Sequence, residues 1–198
     1  MCGNFAETDP TQQSWTAQAE PSSMLSALKL GRSRKWLTSK HDVKGAFLNA
    51  KIPENRVVIV APPEQWVRWG LVKKGVFWTL DKAVYGLRES PFLWGQERDR
   101  QLAKLRWSVS GKKIRLYRSS SDSQVWMIKR DDEKNNEILG IMIVYVDDFL
   151  LQAPTGPIRD TFLKSLSVLW TLAKEEVLSH QHSIVFLGIE IEEQSTGD

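Results

Sequence analysis

ILGIMIVYVDDFLL, residues 138–151, is the stretch on which the reading of this chain turns. From Ile138 to Val146 it is apolar and β-rich without alternation, the pattern of a strand covered on both faces. Asp147 and Asp148 interrupt the run, and Phe149–Leu151 resume it. Two adjacent carboxylates inside such a run are costly unless they sit in a turn or hold a cation. On residue types alone, a hairpin turn built on two Asp accounts for the pair as well as a functional site does.

Working outward, Val125–Lys129 reads as a strand and the polar stretch Arg130–Asn136 as a hairpin loop. Pro154, Gly156 and Pro157 close the unit. Ile158–Trp170 has helical spacing at Phe162, Leu166 and Leu169, and Ile184–Ile191 reads as a final strand. Toward the N-terminus, residues 1–22 read as irregular, with room for a short strand at the start. Ser22 or Ser23 is placed to cap a helix over Met24–Leu30, which Gly31 would end. Trp36–Val43 reads as a strand, and Gly45–Leu48 as a tight turn into a short helix. Arg56–Val60 is β-branched and stopped by Pro62 and Pro63, and Val76–Leu80 is another short strand. Ser90-Pro91 opens a helix running to about Arg106, with Phe92, Leu93, Gln96, Leu102 and Leu105 near one face. This order fits an α+β layout, helices packed on an antiparallel sheet.

The length, 198 residues, allows one domain or two small lobes with a real core. Nine tryptophans are read mostly as core and packing aromatics. Net charge is +3 and the pI about 9.0, only mildly basic. The cations cluster, however. Lys29, Arg32, Arg34, Lys35, Lys40 and Lys44 face one acid, Asp42; Arg98, Arg100, Lys104, Arg106, Lys112, Lys113, Arg115 and Arg118 face only Asp99. Such clusters suit a phosphate backbone, although a solvated helix face explains either one equally well. Cys2 is the single cysteine, so no intrachain disulfide forms. The start lacks the basic and apolar regions of a signal peptide, and the longest apolar run is too short to span a bilayer. A soluble, intracellular protein is expected.

Asp42 adds a third carboxylate at a strand end, followed closely by Gly45 and Ala46. Three carboxylates from two strand ends suit a pair of Mg²⁺ ions, hard cations that prefer oxygen. Two such ions can clamp the attacking and leaving oxygens of an in-line phosphoryl transfer.

Four motifs, in order, then carry a resemblance. Asp42-Val43-Lys44-Gly45-Ala46-Phe47-Leu48-Asn49 resembles the first catalytic motif of reverse transcriptases of copia-type retrotransposons. Val84-Tyr85-Gly86-Leu87-Arg88-Glu89-Ser90-Pro91 with Trp94 looks like their YGL–SP–W motif, Tyr145-Val146-Asp147-Asp148 like their YVDD box, and Phe186-Leu187-Gly188-Ile189-Glu190-Ile191 like their primer grip. The resemblance implies a palm-type antiparallel sheet with packed helices plus a partial fingers lobe, fingers at about 1–38 and 51–89, palm at about 39–50 and 90–198. It implies RNA-directed DNA synthesis from dNTPs on a primed RNA or DNA template, with two Mg²⁺ ions or Mn²⁺ as a substitute. Asp42 and Asp147 would bridge both metals, with Asp148 in a lesser part and the Val43 backbone as a further ligand. Ala46 and Phe47 would face the nucleotide, the Phe47 ring excluding a 2′-hydroxyl. Ser90 and Pro91 would start a helix beneath the template, and Leu187 and Gly188 would help position the primer. The rest of a Pol polyprotein, RNase H and integrase included, is the implied partner, and a cytoplasmic particle or the nucleus the implied location.

Some positions depart from the family pattern. Glu89 stands where Gln is usual, which would put an acid near the template. Ala50 replaces a glycine, and His41 replaces an apolar residue before Asp42. Cys2-Gly3-Asn4-Phe5 looks like the tail of a fingers motif whose Lys and Arg lie upstream, so the chain is expected to be a piece of a polyprotein with little activity alone. The rival reading is a truncated, non-catalytic nucleic-acid-binding remnant of the element. His180 and His182 alternate, but no companion ligand supports a metal site there. Gly70–Gly75 lacks the Lys and Ser/Thr of a phosphate loop.

Overall fold

The structure, a computed structural model, describes residues 18–132 and 136–194. Cys2–Phe5 and the start of the chain lie outside the described residues. The chain divides into two compact units, residues 1–15 with 47–94, and residues 16–46 with 95–198.

The second unit is built on a sheet whose described strands are β1 (Leu37–Asp42), β4 (Arg106–Val109), β5 (Lys112–Arg118), β6 (Val125–Arg130), β7 (Ile138–Tyr145), β8 (Asp148–Ala153) and β9 (Glu176–Val177). Their spatial order is β4-β5-β6-β7-β8-β1-β9, antiparallel throughout. With its helices it gives the expected α+β class. The interior of β7, Leu139–Val144, is buried on both faces, as its unbroken apolar run requires.

Helix α1 (Pro21–Ser33) covers one face. Its buried row Met24, Ala27 and Gly31 follows helical spacing, and Met24 and Ala27 join a core with Ile141, Ile143 and Leu150. The helix starts earlier than expected, on Pro21 at its first position, with Glu20 before it and no side-chain cap from Ser22 or Ser23. Gly31 does not end it. A Cβ there would lie 2.4 Å from Gln152 Nε2, so the glycine allows close packing. The stop comes at Lys35, whose φ of 53° closes a Schellman-type end. Trp36 N–H donates to Gly31 O and Lys35 N–H to Arg32 O.

On the opposite face, α4 (Pro157–Leu169) buries Phe162 and Leu166, with Phe162 against Trp107 of β4 and Phe149 of β8 against Trp170. A separate hairpin, β10 (Ile184–Phe186) and β11 (Ile189–Ile191), corrects the single strand expected over Ile184–Ile191. Leu187 and Gly188 both have positive φ, 56° and 72°, and form its two-residue turn.

The first unit contains the short pair β2 (Ile59–Val60) and β3 (Trp78–Thr79), shorter than the strands expected there, and an unanticipated helix α2 (Glu64–Arg68) after Pro63. Helix α3 (Ser90–Lys104) begins at the expected Ser-Pro and ends two residues early. Its buried row is Trp94, Arg98 and Leu102, while Gln96 is exposed.

Candidate active site

Strand pairing gathers the acids. Asp42, last residue of β1, lies opposite Asp148, first residue of β8. Tyr145 is the other partner of Asp148, which leaves Val146-Asp147 as the turn joining β7 to β8. The Val43 N–H donates to Asp147 O at 3.0 Å and fastens the end of β1 to that turn. The hairpin-turn and functional readings of the acid pair are therefore not exclusive, because the turn itself presents Asp147 beside Asp42 and Asp148.

The turn is strained. Val146 has φ 51°, a region that a β-branched side chain rarely enters, at a cost of roughly 1–2 kcal/mol. Such conformations persist where surrounding contacts over-determine them. Arg98 supplies one such contact, its Nη1 donating to Val146 O at 2.9 Å.

Asp147 and Asp148 resist ionisation. Burial pushes the Asp148 carboxyl up to about 6; Lys40 opposes the rise, and Asp147 and Asp42 add to it. Burial also raises Asp147, with Asp42 adding, against Lys40 and Arg98. Lys40 Nζ lies 3.5 Å from Asp148 Oδ1 and 3.9 Å from Glu176 Oε1, so one cation is spread over several acids. Half-buried carboxylates with too little positive charge form an electrostatic setting into which a divalent cation fits. Among the described residues, no three His, Cys, Asp or Glu side chains are gathered closely enough to hold a metal by themselves. The donor chemistry still suits Mg²⁺, which usually takes one or two carboxylates and completes its shell with water and substrate phosphate. His180 and His182 join no such cluster; His180 Nδ1 lies 3.1 Å from Glu193 O.

The other side of β1 holds what the sequence left unexplained at His41. This residue is buried, with Nε2 3.0 Å from Ser39 Oγ and 3.3 Å from Glu175 Oε1. Arg159 of α4 pairs with Glu175 and donates from Nη2 to Ser39 Oγ at 3.0 Å. Burial, then the Arg159 charge, lowers His41 to about 4, so the ring is neutral near pH 7.

The remaining expected site residues divide between the units. In the first, Phe47 packs on Tyr85 with ring centroids 4.6 Å apart. Ser90 is buried, and its hydroxyl donates to Val84 O at 2.6 Å, fixing the start of α3 just before Pro91. Glu89 does not project as an exposed acid. It is buried and ion-paired with Arg56. In the second unit, Ala46 is fully buried, and Leu187 and Gly188 form the β10–β11 turn, Leu187 packing on the core. The basic cluster at 98–118 is a helix face only in part, with Arg98, Arg100 and Lys104 on α3, and it is not uniformly open to phosphate. Much of it is the β4–β5 hairpin, and Arg106 and Arg115 approach Asp131, Arg118 pairs with Asp99, and Arg100 with Glu97.

A sequence model of the family described as "Reverse transcriptase (RNA-dependent DNA polymerase)" matches residues 13–198. The chain belongs to the reverse transcriptase family. The chain is 29% identical over 161 residues to the putative transposon Ty5-1 protein of Saccharomyces cerevisiae, covering 79% of the chain and 44% of that protein. It is 28% identical over 167 residues to the retrovirus-related Pol polyprotein from transposon RE1 of Arabidopsis thaliana, covering 83% of the chain and 10% of the polyprotein. The chain thus spans less than half the length of either relative. Among its described residues, no helix is long and apolar enough to cross a membrane.

Proposed function

We propose that this chain carries the polymerase site of a copia-type retrotransposon and belongs to a longer Pol polyprotein. The observation that carries the reading is the pairing of Asp42 with Asp148 beside the turn that holds Asp147. Asp42 and Asp147 are the main metal-holding residues, with Asp148 subordinate because Lys40 already engages it, and the Val43 backbone nearby. Bound Mg²⁺, or Mn²⁺ in its place, supplies activation of a primer 3′-hydroxyl and charge neutralisation of a dNTP. The chain's own part is to position. Phe47, its ring supported by Tyr85, forms the nucleotide floor and excludes a 2′-hydroxyl, and the buried Ala46 precedes it in the chain. Ser90 and Pro91 set the helix under an RNA or DNA template, and Leu187 and Gly188 hold the primer end in a rigid two-residue turn. In this reading the palm comprises about 39–50 and 90–198, and the fingers about 1–38 and 51–89.

The test has two readouts on the same protein: Mn²⁺ affinity by electron paramagnetic resonance, and extension of an oligo(dT)-primed RNA template. Wild type should bind the ion and incorporate dNTPs, and Asp147→Asn should lose at least a hundredfold in incorporation and most ion binding, of the order seen when a group central to transition-state charge stabilisation is removed. Salt-sensitive RNA binding alone, equal in wild type and variant, would instead establish the non-catalytic remnant.

A further inference from the structure

The sequence places Arg98 among cations suited to a phosphate backbone, yet its side chain is 0% exposed. Burying a guanidinium is costly unless its donors are used. Here they are used in three directions. Nε and Nη2 donate to Asp99 Oδ1 at 2.9 and 2.8 Å, Nη2 also donates to Gln124 Oε1 at 2.7 Å, and Nη1 donates to Val146 O at 2.9 Å. Asp99 is held from its other oxygen by Arg118 at 2.6 Å, and Arg118 lies over the Trp126 ring. Gln124 is held too. Its carbonyl accepts from Val144 N–H at 2.9 Å, two residues before the turn, and its N–H donates to Asp122 Oδ1.

A salt bridge with Asp99 alone would neutralise the charge. The third arm does something different, because it reaches the one carbonyl that belongs to the strained residue, Val146 at φ 51°. The rigid, planar guanidinium spreads its donors over all three acceptors at once, which a point-like ammonium reproduces only in part. A left-handed valine needs such an outside contact to stay populated, and the residue after it is Asp147.

We propose that Arg98 is a positioning residue for the catalytic turn: by clamping the Val146 carbonyl to α3 and to Gln124, it sets where the Asp147 carboxylate stands. This inference rests on the reading of Asp147 as a metal-holding residue. Arg98 itself is too deep to touch primer, template or nucleotide.

The experiment compares Arg98→Met, Arg98→Lys and the double variant Arg98→Met/Asp99→Asn with wild type and Asp147→Asn. The double variant removes both buried charges, so that an orphaned Asp99 does not decide whether the protein folds. Thermal unfolding identifies the variants that remain folded. For those, loss of an orienting partner is expected to weaken Mn²⁺ binding about 10- to 100-fold. Where incorporation is measured, kcat should fall while KM for the dNTP stays within about threefold, the signature of a contact that matters in the transition state rather than in ground-state binding. Arg98→Lys should recover part of the loss. A folded double variant with wild-type Mn²⁺ affinity and kcat, alongside an impaired Asp147→Asn, overturns the role of Arg98 and leaves the polymerase reading standing. An Asp147→Asn protein that binds Mn²⁺ and incorporates like wild type sinks both.

Discussion

On one side of β1, Lys40 and Asp42 stand beside Asp148; on the other, Ser39 and His41 stand beside Arg159 and Glu175. Both groups are polar and partly or wholly buried. The second is matched, with Arg159 facing Glu175, Ser39 bridging, and a neutral His41 adding no charge. The first carries more acid than its one lysine can neutralise, and burial, with neighbouring acids adding, raises the Asp147 and Asp148 carboxyls. The matched side joins β1 to α4, whereas the unmatched side costs stability. A single strand can carry both because alternate residues point to opposite faces.

The largest way to break this contrast is Arg159→Leu. It leaves Glu175 and the Ser39–His41 pair without their cation. Breaking a buried pair costs roughly 3–5 kcal/mol, and with Glu175 partly exposed about 2–4 kcal/mol is expected, read from the midpoint of urea unfolding. Asp148→Asn acts on the other side with opposite sign. It removes an ionisation that the fold disfavours, so at pH 7 the variant should be more stable than wild type by about 1–2 kcal/mol. At pH 3.5 the gain should almost vanish, because Asp148 is then protonated in the folded state and mostly protonated in the unfolded one.

The smallest effect is a change of slope. Asp148 has its carboxyl raised from 3.8 to about 6, so the folded state holds the proton longer and stability falls as pH rises through that window. His41 is lowered from 6.5 to about 4, so the unfolded state takes up the proton first and stability rises with pH over that window. Each contributes less than about 1 kcal/mol per pH unit once partial solvent screening is counted, and the two oppose each other between about pH 4 and 6. Relative to wild type, Asp148→Asn should gain stability as pH rises across this range, and His41→Gln should lose it. Parallel stability–pH curves for the two variants would rule out the assignment.

Much of the acid hairpin was legible. An unbroken apolar run that stops at two Asp and then resumes specifies strand, turn and strand, and Ser-Pro specifies the start of α3. Other features lay beyond local pattern. The β4–β5 hairpin hides inside a basic stretch, although Trp107, Ile114 and Leu116 alternate inward and Ser110-Gly111 supplies a turn with positive φ at both residues. The β10–β11 turn is masked because Leu187 takes a conformation usually left to glycine or asparagine. Arg98 looks like a surface cation until its row on α3, Trp94–Arg98–Leu102, is read as the buried one. The matched cluster is invisible from sequence because Ser39 and His41 meet Arg159 and Glu175 across more than a hundred residues, through tertiary pairing alone.

The strand order has a consequence for synthesis. β1 sits between β8 and β9, so the earliest strand of this sheet has no neighbour until the chain has grown past residue 148. At ribosomal rates of 5–20 residues per second that interval is roughly 5–20 s. During it, β1 has two open edges, the condition under which hydrophobic strands pair with the wrong chain. LTSKHD is an unusually polar sequence for a central strand. The same lysine, histidine and aspartate that divide charge across the finished sheet also make this strand a poor template for pairing with a foreign apolar strand.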